Sequence, residues 1–160
     1  DVRSGLLGIT LAAVGDVNGD GFEDFIVGEP ASFFMSPNSS PADATAYVVF
    51  GHAGGMPEVL DPATLDGTNG FRLQSRLTLD AAASLRVGGA GDVNGDGYDD
   101  VVLTVWRADA DDSDATSAYV VFGKGETFAA SVDFAAADGA MGTRYQGAQP
   151  VQYFRAHLSD

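Results

Sequence analysis

The residues with the strongest claim to chemistry are carboxylates and amides set at alternate positions in a ten-residue stretch, GDVNGDGFED at residues 15–24. The stretch returns as GDVNGDGYDD at residues 91–100, identical at eight of ten positions. Asp16, Asn18, Asp20 and Asp24 take positions 1, 3, 5 and 9 of the first loop, and Asp92, Asn94, Asp96 and Asp100 those of the second. That spacing wraps a hard cation. Calcium takes about six to eight oxygens, and a tight loop aims alternate side chains inward while position 7 offers its backbone carbonyl. Position 7 is Phe22 in one loop and Tyr98 in the other. Gly21 and Gly97 stand at position 6, where the chain turns through a conformation that a side chain obstructs. The expectation is two Ca2+ ions, one per loop. The duller account is an acidic turn, because Asp, Asn and Gly dominate turns for local hydrogen-bonding reasons. Two copies of so long a pattern favour the ion.

The elements that position these loops follow from their flanks. An EF-hand or a dockerin needs an acid at position 12 on a departing helix, and position 12 here is Val27 or Leu103. The loops run instead into DFIVGEP and DVVLTVW, short apolar and β-branched runs without a helical period. Such runs read as strands.

A chain of 160 residues, 45% hydrophobic and 19% charged, is long enough to bury one core. Twenty-three acids against eight bases leave a net charge of −15. That balance argues against a nucleic-acid or anionic-membrane partner, since both reward positive charge. Without cysteine there is neither a disulfide nor a thiolate metal site. No apolar run reaches the roughly 18 residues of a membrane helix.

The duplication extends past the loops. TAYVVFG at residues 45–51 is matched by SAYVVFG at 117–123, and LDGTNGFRLQ at 65–74, more loosely, by ADGAMGTRYQ at 137–146. The offset is 76 residues at the loops and 72 afterwards, so residues 31–44 form a connection that tolerates a change of length. Each unit reads as four strands: 8–15, 24–29, 45–50 and 70–75, then 84–91, 100–106, 117–122 and 142–147. Strands apolar at successive positions call for a sheet covered on both faces. Radial stacking of four-stranded sheets meets that need, so the expected fold is all-β, two four-stranded antiparallel β-propeller blades.

These residues resemble FG-GAP repeats, the calcium-binding propeller blades of integrin α-subunits and of many secreted bacterial proteins. Leu7 and Gly8 stand where that family has Phe-Gly, and Gly28, Glu29 and Pro30 where it has Gly-Ala-Pro, with the DxNxDGxxD loop between them. The second unit departs from the pattern, with Ala83-Ser84 and Thr104-Val105-Trp106 at those places, although its loop is intact. The resemblance implies calcium binding, an extracellular setting, adhesion or partner recognition, and no catalytic activity. The expected domains are blade 1 at 1–76, blade 2 at 77–148 and a C-terminal strand segment at 149–160 that pairs with a neighbouring blade.

Other candidates have plainer explanations. His52 and His157, the only histidines, sit in no nucleophile motif. Glu23 and Asp99, each beside a proposed ligand, are expected to face solvent. The loop at 31–44 carries Phe33, Phe34 and Met35 and the glycosylation triplet at Asn38; the acidic loop at 107–116 lacks a position-6 glycine. The chain therefore reads as a non-catalytic, calcium-binding extracellular adhesion or assembly module. The alternative is an accessory domain of a secreted calcium-dependent carbohydrate-active enzyme. A propeller closes with about four to eight blades, so two blades require homo-oligomerisation or a blade-bearing partner protein, beside an extracellular protein or glycan ligand.

Overall fold

The computed structural model describes residues 10–29, 44–55, 59–75, 83–107, 115–136 and 139–146. Among them are nine strands in two sheets and two short 3-10 turns. The first sheet runs β1 (Thr10–Gly15), β2 (Asp24–Glu29), β3 (Ala44–Val49) and β4 (Gly70–Ser75), each antiparallel to the next. The second repeats that meander as β5 (Ala83–Gly91), β6 (Asp100–Arg107), β7 (Ala115–Val121) and β9 (Gly142–Gln146). All eight expected strands are present, and the fold is all-β with two blade-like sheets.

Register repeats as faithfully as topology. Tyr47 lies between Val27 and Arg72 in the first sheet, and Tyr119 between Leu103 and Arg144 in the second. The first strand of each sheet ends in a bulge, between Ala13 and Gly15 and again between Gly89 and Gly91. A bulge bends its strand and redirects the chain beyond it, and here it turns the backbone into each acidic loop.

Burial explains the apolar runs. Along β2, Asp24, Ile26 and Gly28 are buried while Phe25, Val27 and Glu29 are half-buried, so both faces are at least partly covered. One hydrophobic cluster serves both sheets, joining Val14, Ile26, Val48 and Phe71 to Leu85, Val101, Leu103 and Tyr119. Each large side chain so buried contributes about 1.5–3 kcal/mol.

The ninth strand, β8 (Ser131–Asp133), was not expected. It pairs in parallel with β4, Leu73 opposite Val132, so the second unit lays a fifth strand onto the first sheet. The same segment delivers two aromatic anchors. Phe128 stacks on Phe71 at 4.2 Å between ring centroids, with 3° between planes, and Phe134 meets Tyr119 edge-on at 5.0 Å. A 3-10 turn, Phe134–Ala136, comes directly after β8. Its counterpart 72 residues earlier, Pro62–Thr64, comes after residues 59–61, which form no strand.

Several expectations lie outside the described residues: the unit boundaries at 76/77 and 148/149, Leu7, Gly8 and Pro30, most of the loops at 31–44 and 107–116, His157, and the segment at 149–160.

Candidate metal loops

Each acidic loop joins the first strand of its sheet to the second and folds around its own carboxylates. In the first, Asp16 accepts from the amides of Asp20 (Oδ1, 2.9 Å) and Gly21 (Oδ2, 2.9 Å). Asn18 Oδ1 accepts from the Asp20 amide at 3.0 Å while its Nδ2 donates to Asp20 Oδ2 at 2.9 Å. Asp20 Oδ1 then accepts from the Phe22 amide at 2.9 Å. The second loop repeats every one of these bonds with Asp92, Asn94, Asp96, Gly97 and Tyr98. The turn at position 6 has φ of 88° at Gly21 and 93° at Gly97, a region that favours glycine.

Position 9 does something that spacing alone does not convey. Asp24 is buried, its Oδ2 accepting from the Val17 amide at 2.9 Å and its Oδ1 from the Gly51 amide at 2.8 Å. It thereby ties the head of the loop to the chain leaving β3. Asp100 makes the same pair of bonds to Val93 and Gly123. Burial pushes the Asp24 carboxyl up to about 6 from 3.8; the Gly51 and Val17 amides oppose that rise, and the negative charges of Asp20 and Asp16 add to it. The charges of Asp20 and Asp16 thus lie close enough to act on Asp24.

Among the described residues, no three Asp, Glu, His or Cys side chains form a ready-made metal cluster. The donors are nonetheless the hard oxygens that calcium takes. An ionised carboxylate has about four acceptor sites, and Asp16, Asp20 and Asp24 each accept bonds that leave some of them open. The donor set fits a divalent cation chemically.

Asp99 corrects an expectation. Its side chain does not face solvent: Asp99 Oδ2 accepts from the Asp16 amide at 2.8 Å, and its own amide donates to the Asp16 carbonyl at 3.1 Å. Beside it the Lys124 amide donates to the Val17 carbonyl at 2.9 Å, and the Tyr98 ring lies over Gly19. Gly123 sits against the Val17 and Asp99 carbonyls with no room for a side chain. The second loop therefore clasps the first. Glu23, the counterpart of Asp99, is exposed, as expected.

The remaining candidates are plain. His52 is exposed, with Nδ1 accepting from the Gly54 amide at 3.2 Å. The Phe22 side chain is 41% exposed. No helix among the described residues is long and apolar enough to cross a membrane.

No curated protein matches the chain. The family model of the FG-GAP repeat matches residues 8–49, which span β1, the first acidic loop, β2 and β3. Such repeats are integrin-like protein-interaction modules, generally without catalytic activity and typically extracellular. With the matched sequence laid out as the first three strands of a blade, the chain carries an FG-GAP repeat.

Proposed function

We propose that this chain is a calcium-binding interaction module built from two FG-GAP blades, residues 1–76 and 77–148, with a further segment at 149–160 that pairs with a neighbouring blade. It works outside the cell, in adhesion or assembly, by holding further blades and an extracellular protein or glycan. The ligands are the side chains of Asp16, Asn18, Asp20 and Asp24 with the Phe22 carbonyl, and those of Asp92, Asn94, Asp96 and Asp100 with the Tyr98 carbonyl. The observation that carries the proposal is the shared hydrogen-bond pattern of the two loops, which gathers oxygen donors of one chemical type twice.

A bound ion would offset the repulsion among the loop carboxylates and stiffen the turn between the first two strands of each blade. Ligand that binds only the folded state stabilises by RT ln(1 + [L]/Kd), so about 1 mM calcium against an assumed Kd of about 0.01 mM adds about 2.7 kcal/mol. Thermal unfolding with calcium and after chelation tests this. A clear fall in melting temperature on chelation supports the proposal, and an unmoved curve overturns it.

A further inference from the structure

Among the described residues, the interface between the two units leaves one half of itself unused on the outer face of each unit. Val17, clasped by the second unit, is 0% exposed, whereas its counterpart Val93 is 56% exposed. Leu73, under the second unit, is 0% exposed, whereas its counterpart Tyr145 on β9 is 58% exposed. Gly19 lies under the Tyr98 ring, and its counterpart Gly95 has nothing within 4 Å. Among the described residues, the far side of the second sheet thus presents, uncovered, the same features that the first sheet presents to its neighbour.

The other end carries the complementary half. Phe22 and Glu23 correspond to the clasping pair Tyr98 and Asp99, and both are exposed. Leu11, 67% exposed, corresponds to Val87, which packs against the shared core. Val59, 83% exposed, corresponds to Ser131, which pairs with Arg72 where β8 joins β4. Residues 59–61 precede a 3-10 turn just as β8 does, and β4 has an added parallel strand where β9 has none among the described residues. The six large hydrophobic side chains that are exposed among the described residues are Leu11, Phe22, Val59, Val93, Met141 and Tyr145. Five of them have a better-covered counterpart across the repeat, and soluble monomers seldom gather apolar side chains into such faces.

The geometry points to head-to-tail association of this chain with a second copy of itself, through the contacts that already join its two units. Residues 22 and 23 of one copy clasp the second acidic loop of the next: the Phe22 ring lies over Gly95, the Glu23 carboxylate accepts from the Asp92 amide, and the His52 amide donates to the Val93 carbonyl. Residues 59–61 add to β9 as β8 adds to β4. The occupant is a second copy because both halves belong to this chain and are joined, in the same register, once already. The contact is heterologous, so it propagates into a ring or an open chain. This inference gives a partner to the proposed interaction module and rests on the blade reading, but not on the ion.

Sedimentation velocity in about 0.15 M salt, with calcium and with chelator, tests it through two variants. Phe22→Ala/Glu23→Ala disables the clasping end and leaves the β9 face; Tyr145→Glu buries a charge at the β9 face and leaves the clasp. The substituted side chains are exposed, and unchanged melting curves confirm that both variants fold. The expected result is concentration-dependent assembly of the wild type, at least about tenfold weaker in each variant alone, with 1:1 pairs restored when the two variants are mixed. A wild type that stays monomeric up to about millimolar concentration overturns the inference, as does a mixture that fails to pair. A separate calcium titration of the dilute wild type reads the ion, so loss of assembly and loss of metal binding are told apart.

Discussion

The carboxylate of Asp99 accepts a hydrogen bond from the backbone amide of Asp16 at 2.8 Å, joining the two acidic loops through residues 83 apart in sequence. Since the Asp99 amide returns a bond to the Asp16 carbonyl, the two residues lock the blades at the head of the first loop. A hydrogen bond to a charged group contributes about 1.5–3 kcal/mol when it is sheltered. Asp99→Ala is therefore expected to cost about 1–2 kcal/mol in urea unfolding, given that the residue is only half-buried. Glu23→Ala, at the matching but exposed position, is expected to stay within about 0.5 kcal/mol in the dilute monomer.

Phe128 comes from the second unit, yet it stacks on Phe71 and lies 5.7 Å from the Phe50 ring in the first. Phe128→Ala should cost about 3–5 kcal/mol, the usual range for emptying a buried aromatic site. Because the lost contacts join two blades, the variant is also expected to unfold less cooperatively by calorimetry. A single sharp transition at the wild-type temperature would count against the packing of Phe128 between the blades.

How far the sequence alone reached can be seen from particular elements. The repeat exposed eight strands, since the loop motif and the YVVF segment pin both units to one register. Strand β8 was hidden. Ser131, Val132 and Asp133 are too short a run to read as a strand, and they pair where the β4 edge is beside them. Residues 59–61, at the same place in the first unit, lack that neighbour and are not a strand. The ligand spacing was legible for the same local reason, whereas the anchoring role of Asp24 needed the Gly51 amide, 27 residues away. The contact made by Asp99 is not legible in the sequence, because nothing local reveals which loop lies against it.

Gly123 is held against two backbone carbonyls, Asp99 of its own blade and Val17 of the other. A methyl group there would run into the backbone carbonyls of Asp99 and Val17, which side-chain adjustment cannot relieve. Gly123→Ala should destabilise by about 1–3 kcal/mol, the usual cost of overpacking. By contrast, space is open around Gly95, so a substitution there meets only the penalty of its φ of 78°.

The Asp24 carboxyl, raised to about 6 in the fold from 3.8, carries a sign that a pH series can read. Between those values the folded state holds the proton more often than the unfolded chain, so in chelator this group adds stability as pH falls from 7 towards 4. A cation stabilises the ionised form and should remove the gain. Melting temperatures at pH 4.5 to 7.5, with chelator and with calcium, are expected to diverge most at the upper end. Identical pH profiles under both conditions would show that no cation is held near Asp24.

Whether each acidic loop holds one calcium ion is read directly by native mass spectrometry, which counts bound ions. The wild type in calcium is expected to carry two per chain, with Asp16→Ala and Asp92→Ala carrying one each. A wild type that carries none, or variants that keep both, would contradict the account.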